Sequence, residues 1–196
     1  MGMGNIEDIE IEIQVEIEDY RELIEFLGKS GDFQSEKHQV DEYFSPAHKD
    51  FLGADPVKEW LRLRNANGTY TINYKNWHYN NEGKSYHADE YESKVENIDT
   101  LRKIFEALNM KMLVAVEKTR KTWMYKDYEI ALDSVKGLGN FVEIEFKGKT
   151  KGEDPERIAK EMINFLKERG CGKIELNYKG YLYQLLFGKE KNPEIH

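Results

Sequence analysis

The sequence predicts an α+β fold: a closed eight-stranded antiparallel β-barrel with helices packed outside it. Three observations carry this. Stretches in which aliphatic and ionic residues alternate with period two recur along the chain, as half-buried strands require. Short turns join most of them, which favours antiparallel neighbours. Between them lie helices with one apolar stripe each, which need an apolar surface to cover. If helices cover the apolar strand faces from outside, the ionic faces line the inside, and closure removes the sheet's edges.

The elements follow in order. Ile9-Glu10-Ile11-Glu12-Ile13-Gln14-Val15-Glu16-Ile17 reads as a strand with one apolar and one acidic face. Glu10 and Glu12 point the same way, about 7 Å apart, a spacing at which two carboxylates can share one hard divalent cation. Asp19 is placed to cap a helix over 20–29, with Leu23, Ile24 and Leu27 on one face and Gly31 as its stop. A second strand spans 33–44, and 45–56 is a loop with two prolines and a glycine. Residues 58–65 and 69–79 form a hairpin around Ala66-Asn67-Gly68. A strand over 84–95 precedes a helix capped by Asn97 or Asp99, with Leu101, Ile104, Phe105 and Leu108 inward. Strands at 112–124, 128–133 and 141–147 follow. Asp154-Pro155 opens a third helix with the stripe Ile158, Met162, Phe165 and Leu166. A short strand near Ile174 and a helix over 181–187 close the chain.

The 196 residues fit one domain, with 1–5 outside the fold and 189–196 as a tail. A net charge of -8 argues against general binding to nucleic acid or an acidic membrane, so any anion site must be a local concentration of bases. The single cysteine, Cys171, permits no intrachain disulfide and suits a reducing, cytoplasmic setting. No apolar run is long enough for a signal peptide or a membrane span. A monomer or a homodimer is expected.

The charges are sorted by strand. Arg62 and Arg64 share a face opposite Leu61 and Leu63, and Lys75 shares one with Asn73 and Thr71. Glu90 and Glu92 pair in the same way, as do Lys118 and Arg120, and Glu143 and Glu145. Asp133 lies opposite Leu132. Solvated outer faces of an open sheet would also alternate, but they would mix the two signs. An ionic lumen explains the sorting and would be frustrated when empty. A polyphosphate with divalent metals resolves it, bases clamping phosphate and acids holding metal.

These residues, in this order, resemble the CYTH superfamily, the triphosphate tunnel metalloenzymes, over about residues 9–187. Glu10-Ile11-Glu12-Ile13-Gln14 stands where that family carries a Glu-x-Glu-x-Lys signature. Leu61-Arg62-Leu63-Arg64, Lys75, Glu90-x-Glu92, Lys118-x-Arg120, Leu132-Asp133 and Gly137-Leu138-Gly139-x-Phe141-Val142-Glu143-Ile144-Glu145 match its later motifs. Gln39-x-Asp41-x-Tyr43-Phe44 and Pro46-x-His48-Lys49-Asp50-Phe51 look most like the class IV adenylyl cyclase branch. The resemblance implies an eight-stranded tunnel and conversion of ATP to cyclic AMP and pyrophosphate. An inorganic or thiamine triphosphatase is the alternative, with ATP, thiamine triphosphate or tripolyphosphate as the candidate ligands. It implies Mg²⁺ or Mn²⁺, two ions, held by Glu10, Glu12, Asp133, Glu143 and Glu145. Arg62, Arg64, Lys75, Lys118 and Arg120 would bind substrate. Gln14, Lys118 and Arg120 would act in catalysis, with Glu90, Glu92 and His48 accessory.

One departure stands out. Gln14 replaces the signature lysine, keeping a donor and losing the charge. That admits a third reading, a catalytically weak nucleotide- or polyphosphate-binding protein. A lysine introduced at this position is expected to be tolerated beside Glu10 and Glu12. The remaining residues read as structure. His38, His48, His78 and His87 lack metal-ligand spacing, and Cys171 is inert packing. Trp60, Trp77 and Trp123 are packing residues, Tyr181 is a wall residue, and Asp41 is structural rather than a metal ligand.

Overall fold

The computed structural model describes residues 11–54, 57–79, 85–149, 154–177 and 180–188. Its elements are β1 (Ile11–Ile17), α1 (Arg21–Ser30), β2 (Asp32–Ser45), a 3₁₀ turn (Phe51–Gly53), β3 (Glu59–Ala66), β4 (Thr69–Tyr79), β5 (Ser85–Val95) and α2 (Ile98–Ala107). They continue with β6 (Lys111–Tyr125), β7 (Tyr128–Val135), β8 (Gly139–Phe146), α3 (Pro155–Glu168), β9 (Ile174–Leu176) and α4 (Gly180–Phe187). Among the described residues, no helix is long and apolar enough to cross a membrane.

The α+β class and the antiparallel pairing agree with the sequence. The expected closure does not appear in the hydrogen bonding. The strands form one nine-stranded sheet in the order β5-β4-β3-β2-β6-β7-β8-β1-β9, and its order is open. The two edge strands show why. β9 is three residues long and pairs only along Val15, Glu16 and Ile17 of β1. β5 is exposed and charged along Asp89, Glu90, Glu92 and Lys94. Short and charged strands both resist a further partner.

The chain divides into two units. The first takes in the described residues up to Glu36 and from Arg120 to Gly180. Its core joins Ile11, Ile13, Val15 and Ile17 of β1 to Val142 and Ile144 of β8, Ile130 and Leu132 of β7, Leu23 and Leu27 of α1, and Ile158, Met162 and Leu166 of α3. Fully burying one such aliphatic side chain contributes roughly 1.5–3 kcal/mol. Cys171 and Trp123 pack in the same core, and burial pushes the Cys171 thiol up to about 11, so it stays a thiol. Helices and apolar strand faces thus share one core, and Glu12, Gln14, Asp133, Glu143 and Glu145 lie on the opposite strand faces.

The second unit takes in Lys37–Thr119 and the described residues from Tyr181. Phe44 of β2 and Leu63 of β3 form its core with Ile98 and Phe105 of α2. The β3–β4 hairpin closes through Asn67 (φ 49°) and Gly68 (φ 82°), a two-residue turn whose twist matches the strands. The Asn67 side chain accepts from His38 N at 2.9 Å and so fastens the turn to β2.

Capping agrees in part with the sequence. Asn97 caps α2 and Asp154 caps α3 ahead of Pro155. At α1 the cap position is Tyr20, and Asp19 is instead gripped by the Arg21 side chain. Gly31 ends α1 with an extended backbone, not a left-handed one, and its lack of a Cβ is what the site requires, since one would lie 2.9 Å from Leu27 O.

Candidate active site

In the second unit, pairing register builds the cluster. β2 and β3 align Asp41 with Arg64 and Tyr43 with Arg62. Arg64 grips Asp41 in a fork, Nε to Oδ1 and Nη2 to Oδ2, both at 2.6 Å. Asp41 is buried, and burial alone would raise its pKa. The Arg64 hydrogen bonds, with the charges of Arg64, Arg62 and Lys118, reverse this and hold the carboxyl below the usual range.

Arg62 is placed differently. Its Nη1 lies 3.8 Å from Asp41 and its Nη2 3.6 Å from Glu92, both beyond hydrogen-bond reach. Its Nε is buried without a partner. The Tyr43 hydroxyl is its neighbour, and burial raises that hydroxyl's pKa. Across β4 and β5, Lys75 Nζ meets Glu90 at 3.2 Å and sits over the Trp77 ring at 4.4 Å. Asn73 Nδ2 donates to Glu90 at 2.7 Å and, more weakly, to Glu92 at 3.4 Å. Glu90 and Glu92 therefore accompany bases. Lys118 is buried, with its Nζ 4.9 Å from the Tyr181 ring centroid. His48 is exposed in its loop and is not drawn into this cluster.

In the first unit, Arg120 joins two acids. It donates to Asp133 through Nε (2.7 Å) and Nη2 (2.6 Å), and to Glu143 through Nη1 and Nη2 (both 2.9 Å). Burial works against the charged guanidinium, and the two carboxylates outweigh it, so its pKa rises well above the usual value. Gln14 Nε2 donates to Glu143 Oε2 at 3.1 Å, and Gln14 Oε1 accepts from Asn177 Nδ2 at 2.6 Å.

The charged faces are not uniform: Asp41, Lys118 and Asp133 are buried, whereas Glu12, Glu90 and Glu92 are exposed. The expected frustration is absent here, because acids and bases neutralise one another in the forks just described. Sequence reasoning missed Asn73 and Asn177 as polar partners and treated Asp41 as structural without finding Arg64. The signal for Asp41 was the strand register, which a single sequence does not print.

The family resemblance implies a divalent metal. Glu12, Asp133, Glu143 and Glu145 offer carboxylate oxygens, the donors a hard dication takes. Glu12 and Glu145 are direct partners across β1 and β8. Glu10 lies outside the described residues. Among the described residues no group of three or more acids, histidines or cysteines is gathered to hold an ion as it stands. Arg120 occupies Asp133 and Glu143, and Lys147 occupies Glu145 at 2.6 Å. The donor set fits a dication by chemistry, once those cations yield.

Asp41 gives a pH test. Its folded pKa is depressed, so its contribution to stability is present above the unfolded value, about 3.9, and is lost as pH falls through the lower folded value. Asp41→Asn should cost roughly 1–3 kcal/mol at neutral pH, by weakening the buried fork. It should also flatten the decline below about pH 4. Urea unfolding between neutrality and strong acid checks both, and parallel curves for the two proteins would refute the linkage.

The sequence pattern of the CYTH domain matches residues 8–181. A Methanocaldococcus jannaschii protein named as a putative adenylate cyclase is 33% identical over 175 residues, covering 89% of this chain and 97% of that protein. The structure of the PH1819 protein of Pyrococcus horikoshii matches with a TM-score of 0.71 at 28% identity, over 92% of this chain and 99% of that one. A Hippeastrum protein, named as a putative adenylyl cyclase that reveals a dominant triphosphatase activity, matches in fold with a TM-score of 0.67 at 21% identity. That alignment covers 93% of this chain and 98% of the Hippeastrum chain.

Proposed function

Because this chain belongs to the CYTH domain family, we propose that it is a metal-dependent enzyme acting on a triphosphate compound, with cyclisation of ATP as the leading reaction. The observation that carries the reading is Arg62. A half-buried guanidinium whose Nε is buried and unpartnered, with no carboxylate of the described residues within hydrogen-bond reach, suits a further anion. A phosphate group has the charge and the paired oxygens to satisfy it.

Arg62, Lys75, Lys118 and Arg120 hold the phosphates and offset charge that builds up in the transition state, while Arg64 stays committed to Asp41. Glu12, Asp133, Glu143 and Glu145, with Glu10, would hold Mg²⁺ or Mn²⁺, which would supply neutralisation of phosphate charge. In the cyclisation, a bond forms from the 3'-oxygen of ATP to the α-phosphorus. The bond to the leaving pyrophosphate breaks, and the hydroxyl proton passes to solvent.

Hydrolysis by the same residues is the second reading, and Gln14 motivates the third, a catalytically weak binding protein. Its amide brings no positive charge, and its two polar ends are both engaged.

Incubating the protein with ATP, thiamine triphosphate and tripolyphosphate, each with Mg²⁺ and with Mn²⁺, decides among these readings. Cyclic AMP and pyrophosphate from ATP support the leading one. Orthophosphate release supports hydrolysis, and neither product leaves a binding protein. Glu12→Gln should abolish metal-dependent turnover and leave the melting temperature near wild type, since an amide is a poor ligand for a hard dication. Unchanged turnover at saturating Mg²⁺ would remove Glu12 from the metal shell.

A further inference from the structure

We propose that Asn177 is a positioning residue that turns Gln14 into a directed donor for Glu143, and that the two amides together stand in for a lysine at position 14. The proposal rests on the triphosphate-enzyme reading and deepens it. Asn177 is buried and follows β9 directly. Its backbone N–H donates to Gln14 O at 2.7 Å, so the main chain fixes the two side chains side by side.

The hydrogen bonds here run in a single direction. Gly180 N donates to Asn177 Oδ1 at 3.1 Å. Asn177 Nδ2 donates to Gln14 Oε1 at 2.6 Å, and Gln14 Nε2 donates to Glu143 Oε2 at 3.1 Å. Both ends impose that direction. An ionised carboxylate only accepts, and a backbone N–H only donates. Reversing either amide sets donor against donor or acceptor against acceptor, which is costly where water is scarce. Gln14 alone has two nearly isosteric orientations, and only one of them gives Glu143 a donor. Asn177 selects that one. Glu143 also binds Arg120, so the selection reaches the guanidinium through their shared carboxylate.

Substitutions at position 14 then behave differently from the sequence expectation. An ammonium there can donate to Glu143, but it presents donors to the Asn177 NH₂ as well. If Asn177 turns over to accept, its NH₂ faces the Gly180 N–H. Gln14→Lys alone is therefore frustrated. Adding Asn177→Asp relieves this, because one carboxylate oxygen accepts from Gly180 N–H and the other from the ammonium. Asn177→Asp alone draws the Gln14 NH₂ to itself and turns the Gln14 carbonyl toward Glu143.

The test is the four-member cycle of wild type, Gln14→Lys, Asn177→Asp and the double variant. Thermal unfolding is measured without substrate, and kcat and KM are measured on tripolyphosphate and on ATP with Mg²⁺. Each single variant should melt about 3 °C or more below wild type, the shift expected for one buried unmet hydrogen bond. Each should lose about tenfold in kcat with little change in KM, the mark of an interaction made in the transition state. The double variant should regain most of both losses. Additive losses would overturn the proposal. So would a harmless Asn177→Asp, since aspartate accepts from the Gly180 N–H as well as asparagine does and Asn177 would then serve only that bond. A wild type that turns over no triphosphate overturns the functional reading and its kinetic arm, while the melting cycle separately decides the direction of the amides.

Discussion

Arg120→Ala is expected to destabilise the protein by about 3–5 kcal/mol, the cost of removing one member of a buried, hydrogen-bonded charge cluster. The Asp133 side chain is 0% exposed and that of Glu143 22%. Both face one guanidinium, itself 17% exposed, through four hydrogen bonds of 2.6 to 2.9 Å. Removing it takes those four hydrogen bonds and one positive charge from two carboxylates on neighbouring strands. The loss measures the damage of breaking the pair, and an apolar replacement of all three residues would not show it. With roughly 2–4 °C per kcal/mol for a chain of this size, the melting temperature should fall by about 6–20 °C. Adding Asp133→Asn should recover part of the loss, because one of the two negative charges is gone. Urea unfolding at neutral pH checks the set. A loss under about 1 kcal/mol would mean that the group behaves as a solvent-exposed pair.

Much of this arrangement was legible in the sequence because it depends on local pattern. The alternation from Ile11 to Ile17 requires one face to be buried, and all four aliphatic residues there are buried. The same parity places Glu143 opposite Val142 and Ile144, and Arg62 and Arg64 opposite Leu63. The Asn67-Gly68 turn is local as well, since both residues tolerate positive φ. What was not legible depends on partners far apart in the chain. Asp41 meets Arg64 because β2 and β3 pair in one register, and a slip of a single residue would turn Asp41 to the other face. Asn177 meets Gln14 across 163 positions of sequence. Closure was inferred from the need to remove edges, and among the described residues hydrogen bonds do not complete it, with a short β9 and a charged β5 at the two ends of the strand order. Frustration was inferred by counting charges, without the geometry that lets one arginine serve two acids.

Arg62 and Arg64 show how far residue type alone falls short of role. They lie two apart on one face of β3, and the sequence treats them alike. Arg64 is committed to Asp41 by a bidentate fork. Among the described residues, Arg62 has its nearest carboxylates at 3.6 and 3.8 Å and a buried Nε without a partner. The first geometry serves stability, and the second suits a ligand.

Arg62→Ala should therefore weaken binding of tripolyphosphate by about 2 kcal/mol or more, roughly thirtyfold, the loss typical of truncating one partner of a buried charged contact. Its effect on orthophosphate should be much smaller, since a single phosphate can settle on the remaining cations. Stability should stay within about 1 kcal/mol of wild type, because exposed or distant ion pairs contribute little. Arg64→Ala should show the opposite balance. It strands Asp41, whose side chain is 3% exposed, and should cost about 3–5 kcal/mol of stability. Titration calorimetry with tripolyphosphate and orthophosphate, run beside urea unfolding on both variants, separates the two roles. An Arg62→Ala protein that keeps wild-type affinity for tripolyphosphate would remove this guanidinium from the anion site, and with it the observation on which the proposed chemistry chiefly stands.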